Sequence, residues 1–162
     1  MPNLQSTIQI RRATSQDAAS VASLLEKAFA EYRELYTEKG YAATVITADE
    51  VKVRLAEGPM WVAIDNAQIV GTVSAIAKDG ALYVRGMGIA PDARGKHLGE
   101  LLLKHVETFA VTNNHKKLTL STTPFLLRAI TLYEHFGFIR NEEATPDLFG
   151  TPLFTMFKNL SS

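Results

Sequence analysis

A basic loop that contains glycine connects a predicted strand to a predicted helix within residues 82–110, which read LYVRGMGIAPDARGKHLGELLLKHVETFA. Its central part, ARGKHLG, carries the positive charges of Arg94 and Lys96 and has glycine at Gly95 and Gly99. The N–H groups at a helix start and the positive end of the helix dipole favour anions such as phosphate. Glycine lets the backbone approach such a ligand closely. The segment therefore predicts a phosphate-binding loop.

Two common nucleotide-binding motifs do not fit this loop. A P-loop needs G-x-x-x-x-G-K-[ST], but Ala90 stands in place of the first glycine and His97 in place of the hydroxyl. The dinucleotide motif G-x-G-x-x-G fits the glycines of RGMG and then meets Pro91, which has no N–H. The remaining pattern is R-x-x-H-x-G, from Arg94 to Gly99. Its position at a helix start suits a pyrophosphate.

Metal and nucleophilic chemistry have little support in the sequence. There is no cysteine, which excludes disulfides, thiolate metal sites and a cysteine nucleophile. The histidines show neither an i, i+4 pair nor a companion carboxylate at ligand spacing, so no metal site is predicted; they are His97, His105, His115 and His135. A G-x-S-x-G elbow, which would support a serine nucleophile, is also missing.

The elements that must position the loop follow the order β-α-α-β-β-β-α-β-α-β-β. Thr14 with Asp17 and Thr47 with Glu50 have capping-box spacing and begin the first two helices. The strands MWVAID and IVGTVSAIA surround a turn at Asp65-Asn66, and Asp79-Gly80 predicts the next hairpin turn. One helix face after the loop is predicted to contain Leu98, Leu101, Leu102, Val106 and Phe109.

The last third of the chain predicts the strand LTLS, a helix and two further strands, with the loop EEATPDLFGT between those two. Thr123-Pro124 is interpreted as the cap and first turn of the helix LLRAITLYEHF, which ends at Gly137. We therefore expect an α/β (α+β) fold: a mixed, mostly antiparallel sheet of about six to seven strands with about four flanking helices.

Composition limits the classes of protein to consider. The 162 residues are 46% hydrophobic and 21% charged, enough for a real core, and we expect one domain over residues 1–162. Lys plus Arg equal Asp plus Glu at 17 each, so no field favours nucleic acid or a membrane surface. The N-terminus lacks an apolar signal core, and no apolar run approaches membrane-spanning length. With the lack of cysteine, this predicts a cytoplasmic protein.

The segment MGIAPDARGKHLGELLL resembles the acyl-CoA-binding motif of the GNAT N-acetyltransferase superfamily, [Q/R]-x-x-G-x-[G/A] after a strand and at a helix start. Arg94 and Gly99 match its first and last places, whereas His97 replaces the middle glycine. AITLYEHFGF is similar to the family's second motif, A-x-x-L-Y-E-x-x-G-F. The asparagine usual three places before that alanine is Leu126 here. The resemblance extends through nearly the whole chain.

This resemblance implies an acetyl-CoA-dependent N-acetyltransferase that needs no metal. The pyrophosphate would bind Arg94, Gly95, Lys96, His97, Leu98 and Gly99. The pantetheine and thioester would bind Met87, Gly88 and Ile89, where a bulged strand frees an N–H for the thioester oxygen; the glycines Gly86 and Gly88 fit such a bulge, or else only make room for a helix across the sheet. Arg128 would add charge near the phosphates, or is a surface residue. Tyr133 would be the general acid for the leaving thiolate, or an ordinary core residue.

The acceptor is expected to be a small-molecule or peptide amine that the sequence does not identify. Aromatic side chains (Tyr32, Tyr36, Tyr41 and Phe149) and acidic ones (Glu31, Glu34 and Glu38) suggest an aromatic wall with nearby acids for a cationic amine. Alternatively, the acids form a solvated helix face, Tyr32 belongs to the core and the other aromatics only fix loops. The sequence indicates no general base. A non-catalytic acyl-CoA-binding or sensor module with the same fold is the alternative. The tail strands, which have the character of an exposed sheet edge, suggest a homodimer.

Overall fold

A computed structural model of the chain describes residues 8–141 and 147–160. Among the described residues, seven strands form one sheet, and two short strands, β7 and β8, form a separate hairpin. The described strands are β1 (Gln9–Arg12), β2 (Met60–Asp65), β3 (Gln68–Lys78), β4 (Ala81–Ile89), β5 (Lys117–Thr122), β6 (Ile139–Asn141), β7 (Asp147–Leu148), β8 (Thr151–Pro152) and β9 (Phe154–Asn159). The described α-helices are α1 (Ala18–Phe29), α2 (Glu38–Thr44), α3 (Ala48–Glu57), α4 (Leu98–Thr112) and α5 (Leu127–His135).

The large sheet has the order β1-β2-β3-β4-β5-β9-β6. Every neighbouring pair is antiparallel except β4 and β5, which run parallel because α4 connects them across one face of the sheet. The mixed, mostly antiparallel sheet with flanking helices that the sequence predicts is therefore confirmed, with one more helix than expected. That helix, α2, lies inside the segment that the sequence leaves without structure.

Helices cover both faces of the sheet, since β-strand side chains alternate between them. On one face, α1 and α3 pack a smaller core that contains Val21, Leu25, Val51, Met60 and Val62. On the other face, α4 packs the larger core, which includes Leu98, Leu102, Leu103, Val106 and Ala110. Among the helices that the structure describes, none is long and apolar enough to cross a membrane.

Short-range signals in the sequence predict several local features correctly. Both capping boxes form, and in the second the Glu50 N–H donates to Thr47 Oγ1 over 3.2 Å while the Thr47 N–H donates to Glu50 Oε1 over 2.9 Å. The Asp79-Gly80 turn has positive φ at both residues, as a type I′ hairpin requires. The preceding hairpin turns one residue later than predicted, at Asn66-Ala67, where both φ values are again positive.

The predicted start of α5 is wrong in detail. Thr123-Pro124 does not begin α5, because these residues start a β-turn in which the Leu126 N–H donates to the Thr123 carbonyl over 3.2 Å, and the helix begins only at Leu127. Proline suits the second position of such a turn as well as it suits a helix start.

The buried face of α4 is also rotated from the predicted one. Leu101 is 44% exposed, whereas Leu103 is fully buried. Gly99 packs so closely against α5 that a Cβ there would lie 2.5 Å from Leu132 Cδ2. This contact turns the Gly99–Leu103 side of the helix inward, a choice that helical periodicity alone does not determine.

Candidate active site

A bulge in β4 forms the centre of the site. Between β3 and β4 the register passes from Ser74 opposite Arg85 to Thr72 opposite Gly88, so β4 has one extra residue. Gly86 supplies the conformation, with φ of +66° in the left-handed region that glycine adopts readily. The predicted bulge is therefore confirmed at Gly86, whereas Gly88 makes room for α1, since a Cβ there would lie 3.1 Å from Leu25 Cδ2.

On the side away from β3, strand β5 separates from β4 just before this bulge. The parallel pairing of β4 with β5 ends at Val84 opposite Leu120, although β5 continues to Thr122 and pairs with β9 over its whole length. Beyond Val84, the second half of β4 has no hydrogen-bonded neighbour on that side among these registers. The divergence opens a cleft between two central strands, next to the bulge.

The basic loop follows at the end of this cleft. A single 3₁₀ turn, Pro91–Ala93, leads into Gly95 with φ of +84° and His97 with φ of +61°, after which α4 begins. His97 therefore occupies a backbone region where glycine has no steric cost, which explains why a glycine suits this place in the motif. Its side chain is 78% exposed. The first N–H groups of α4 have no partner within the helix and are free to bind an anion.

Charged side chains near the loop are already paired with carboxylates. Glu31 forms an ion pair with Arg94 and lies 3.9 Å from the Arg128 guanidinium, which also donates to the Tyr32 hydroxyl over 3.1 Å. Lys96 points elsewhere and pairs with Asp65 over 3.2 Å. The fold thus brings Arg94 and Arg128 together, although they are far apart in sequence, and leaves Lys96 outside the cleft.

Tyr133 reaches the bulge from α5. Its side chain is buried, its ring packs edge-on against Phe138 with centroids 5.8 Å apart, and its hydroxyl lies 4.0 Å from Met87 Sδ. Burial raises the pKa of this phenol well above its ordinary value of 10.0, and the nearby phenols of Tyr36 and Tyr83 add to the rise. The group is therefore a neutral O–H donor at neutral pH.

One cavity of about 760 Å³ connects these parts. It follows the second half of β4, continues along the loop to the first turn of α4, and is bounded on the other side by β5 and α5. Nine of the predicted cofactor-binding residues line it, together with Tyr133: Met87, Gly88, Ile89, Arg94, Gly95, His97, Leu98, Gly99 and Arg128. Lys96 does not line it, because its side chain is turned towards Asp65.

Sequence reasoning missed a buried hydroxyl in this cavity. Thr122, at the end of β5, is 4% exposed, and its Oγ1 has no hydrogen-bond partner among the described residues. A buried hydroxyl without a partner is costly unless a ligand supplies one. Leu126, which replaces the expected asparagine, also lines the cavity but contributes only apolar surface. Thr122 Oγ1 is therefore an enclosed, unpaired hydroxyl of a residue that lines the same cavity as Leu126.

The side chains predicted to form an acceptor wall lie in different places relative to the cavity. Tyr32 and Tyr36 line the cavity, whereas the other two aromatic side chains do not. Glu31, Glu34 and Glu38 are not among the described residues that line the cavity, whereas two guanidinium groups line it, from Arg54 of α3 and Arg85 of β4. The sequence offers no signal for Arg54, since an arginine in an amphipathic helix is usually solvated. Only the packing of α3 against the sheet shows where it lies.

A hairpin and α2 close this side. The Thr37 N–H donates to Thr151 Oγ1 over 2.9 Å, and the Thr37 hydroxyl donates to the Phe149 carbonyl over 2.8 Å, so the start of α2 is bound to the β7–β8 hairpin. The hairpin lies within the segment predicted to be a loop, part of which, residues 142–146, is outside the described residues. In the described ranges, no group of three or more His, Asp or Glu side chains is placed to hold a metal ion.

Comparison with known proteins agrees with this geometry. The Acetyltransferase (GNAT) family model matches residues 21–138. The chain is 33% identical over 135 residues to the uncharacterized N-acetyltransferase YjgM of Escherichia coli, covering 80% of each protein. It is 35% identical over 103 residues to N-acetylaspartate synthetase of Danio rerio, which is 60% of this chain but 36% of that protein, so the chain spans little more than a third of that relative's length.

Solved structures share the fold at low sequence identity. The PaiA N-acetyltransferase of Thermoplasma acidophilum, solved in complex with coenzyme A, superimposes with a TM-score of 0.81 at 14% identity, covering 95% of this chain and 99% of that one. A GNAT acetyltransferase of Staphylococcus aureus gives a TM-score of 0.79 at 19% identity, covering 96% and 100%. From the family match and the fold, we conclude that the chain belongs to the GNAT family of acetyltransferases and is an acyltransferase.

Proposed function

We propose that this protein transfers an acetyl group from acetyl-CoA to a primary amine by direct attack of the amine on the thioester. The observation that carries the proposal is the meeting of three features in one cavity: the β4 bulge, the loop at the start of α4, and the Tyr133 hydroxyl beside Met87. A binding module would need only the first two. The placement of a neutral phenol at the bulge favours catalysis.

The residues present fit acetyl-CoA. The loop from Arg94 to Gly99 exposes helix N–H groups and left-handed residues suited to a pyrophosphate, and the Arg94 and Arg128 guanidinium groups are within reach of phosphate once Glu31 yields. Met87, Gly88 and Ile89 line the cavity and would border the pantetheine and thioester, and Thr122, whose hydroxyl is unpaired among the described residues, lines the same cavity. Bound acetyl-CoA supplies an activated acetyl group on sulfur.

Three demands of the reaction fall on the chain. The N–C bond forms and the C–S bond breaks, so charge develops on the thioester oxygen, where a backbone N–H of the bulged strand would donate. The leaving sulfur takes a proton, which the Tyr133 hydroxyl would donate before solvent restores it. The amine would lose one proton to water, because among the described residues that line the cavity the only carboxylate is that of Glu100, which belongs to α4 and not to the bulge.

The name N-acetylaspartate synthetase states an amino-acid derivative as the product of one relative. For this chain, the name puts amino acids among the amines to be tested, beside polyamines and peptides. A cytoplasmic location, a homodimer and a single domain over residues 1–162 stay predictions from the sequence.

Thermal shift with acetyl-CoA, CoA, ATP and NAD at equal concentrations tests the donor. A ligand at a hundred times its Kd adds about 2.7 kcal/mol to the free energy of unfolding, which corresponds to several degrees in Tm. We expect stabilisation by acetyl-CoA and CoA alone, followed by CoA release when a suitable amine is added. Lack of stabilisation by both would overturn the proposal, and binding without CoA release for any amine would return it to the non-catalytic alternative.

A further inference from the structure

Two arginines from different elements meet beside the β4 bulge. Arg54 of α3 and Arg85 of β4 both line the cavity. The Arg54 guanidinium is so near the bulge that a Cβ placed on Gly86 would lie 3.0 Å from its Nη1. Arg85 directly precedes Gly86 in the strand. Positive charge is therefore concentrated next to the place where the proposed reaction would occur.

The described carboxylates neutralise only part of this charge. Glu57, the last residue of α3, pairs with Arg85 over 2.6 Å and is 42% exposed. Among the residues that the structure describes, no carboxylate lies within 4 Å of Arg54, whose guanidinium donates only to the Ala43 carbonyl over a long 3.5 Å. Arg85 Nε is buried and has no hydrogen-bond partner in the same part of the chain. N–H donors therefore remain at both guanidinium groups.

The electrostatics of the pair favour an anion. Burial lowers the pKa of Arg54, and the positive charge of Arg85 lowers it further. Glu57 and Glu50 oppose this shift without cancelling it, and two guanidinium groups that are partly withdrawn from water and face one cavity favour a further anionic partner. The rigid fork of guanidinium N–H donors matches the two oxygens of a carboxylate. A cationic acceptor such as a polyamine would be repelled.

We propose that the acceptor is a small amine that carries a carboxylate, of the amino-acid class, and that Arg54 and Arg85 bind this carboxylate while the amino group faces Gly86 and Met87. The proposal rests on the proposed function, because it assigns the acceptor of that same reaction. It replaces the acid-lined site for a cationic amine that the sequence suggests. In this role Arg54 and Arg85 determine specificity and take no part in proton transfer.

The test compares amines that differ only in the carboxylate. Glycine with glycinamide and L-aspartate with L-asparagine are assayed for acetyl transfer, with spermidine as the cationic arm. The two aspartate-derived amines separate a side-chain carboxylate from an α-carboxylate. We expect kcat/KM for the preferred acid to exceed that for its amide by about 10- to 100-fold, the effect of losing a charge-assisted hydrogen bond to a carboxylate. Spermidine should be the poorest acceptor.

Arg54→Gln and Arg85→Gln should each raise KM for the acid about tenfold or more. Both should also bring the ratio of kcat/KM for the acid to kcat/KM for the amide close to one. Arg54→Lys keeps the positive charge but loses the forked guanidinium donors, so it should retain only part of the preference for the acid over the amide. Lys52→Gln makes the same charge change on the exposed side of α3 and should alter neither quantity. Stabilisation by CoA reports whether each variant is folded.

The possible failures can be told apart. Transfer to glycinamide or spermidine that equals or exceeds transfer to glycine and L-aspartate, or unchanged discrimination in both arginine variants, would overturn this inference and leave the acetyltransferase intact. No transfer to any amine, with no stabilisation by CoA, would overturn the proposed function and this inference with it.

Discussion

Removing the Tyr133 hydroxyl should slow the reaction without weakening the fold. Among the described residues, this hydroxyl has one hydrogen-bond partner, Met87 Sδ at 4.0 Å, and sulfur is a weak acceptor. The ring, by contrast, is buried and packs against Phe138. Tyr133→Phe keeps the ring and removes the polar atom, so it separates packing from proton donation.

The expected change in stability is small and can be favourable. Burying a hydroxyl without a good partner costs roughly 1–3 kcal/mol by protein mutational data, and the weak contact with Met87 offsets part of that cost. We therefore expect the free energy of unfolding of Tyr133→Phe to stay within about 1 kcal/mol of the wild type, with any change towards greater stability. For a chain of this length that corresponds to about 2–4 °C in Tm.

The expected change in rate is much larger. A positioned general acid contributes about 10²- to 10⁴-fold, which is about 2.7–5.4 kcal/mol in the activation barrier. Because burial raises the pKa of Tyr133, the phenol stays protonated as pH rises through neutrality. Its titration should therefore add no alkaline limb to the pH–rate profile below about pH 10.

The assay follows CoA release with a thiol-reactive chromophore. The chain contains no cysteine, so the only thiol in the reaction is the product. Stability is measured by urea denaturation and cofactor binding by the thermal shift with CoA. Tyr41→Phe is the matched control, since Tyr41 is also buried but does not line the cavity, and it should retain the wild-type rate.

Two results would refute this reasoning. An unchanged rate, where chemistry limits turnover, would remove Tyr133 from the mechanism. A loss of more than about 2 kcal/mol in stability, together with loss of CoA binding, would show that the hydroxyl has a structural role that its contacts do not reveal, as breaking a network of buried hydrogen bonds would.

Two further predictions concern stability. Gly40→Ala should cost about 1–3 kcal/mol in the free energy of unfolding, because the new Cβ would lie 2.5 Å from Thr151 Oγ1 and push the β7–β8 hairpin from α2; a wild-type urea midpoint would contradict this. The Arg11 guanidinium holds the pKa of Asp17 below its ordinary value of 3.8, so the pair stabilises the fold above that pH and its contribution disappears as pH falls through the lowered pKa. Asp17→Asn should therefore lower the urea midpoint at pH 7 and flatten its decline on acidification, and equal slopes for both proteins would disprove the linkage.

Features of the site that depend on near neighbours in the chain could be predicted from the sequence. The loop from Arg94 to Gly99, the glycine bulge in β4 and the turn at Asp79-Gly80 are governed by local φ requirements and helix-end hydrogen bonding. These act over a few residues, so residue types at fixed spacing specify them. The order of strands and helices can be predicted for the same reason, because the spacing of hydrophobic residues within each segment predicts whether that segment is a helix or a strand.

Features that depend on packing between distant elements could not be predicted. α5 begins at Leu127 because Thr123-Pro124 serves equally well in a turn, and the contact between Gly99 and Leu132 decides which side of α4 is buried. Likewise Lys96 has the charge expected of a phosphate ligand, but the end of the β2–β3 hairpin places Asp65 beside it and draws it out of the cavity.

The sequence by itself predicted what kind of donor this protein would hold and where along the chain it would bind, because a phosphate loop is a continuous, locally encoded structure. Only the tertiary structure decided what surrounds the reacting centre: Glu31 between Arg94 and Arg128, Tyr133 beside Met87, and Arg54 against Gly86, 32 positions later in the chain. These neighbours come from separate helices and strands. Their contacts depend on how helices pack on both faces of the sheet, and no spacing in the sequence predicts which of these distant residues meet.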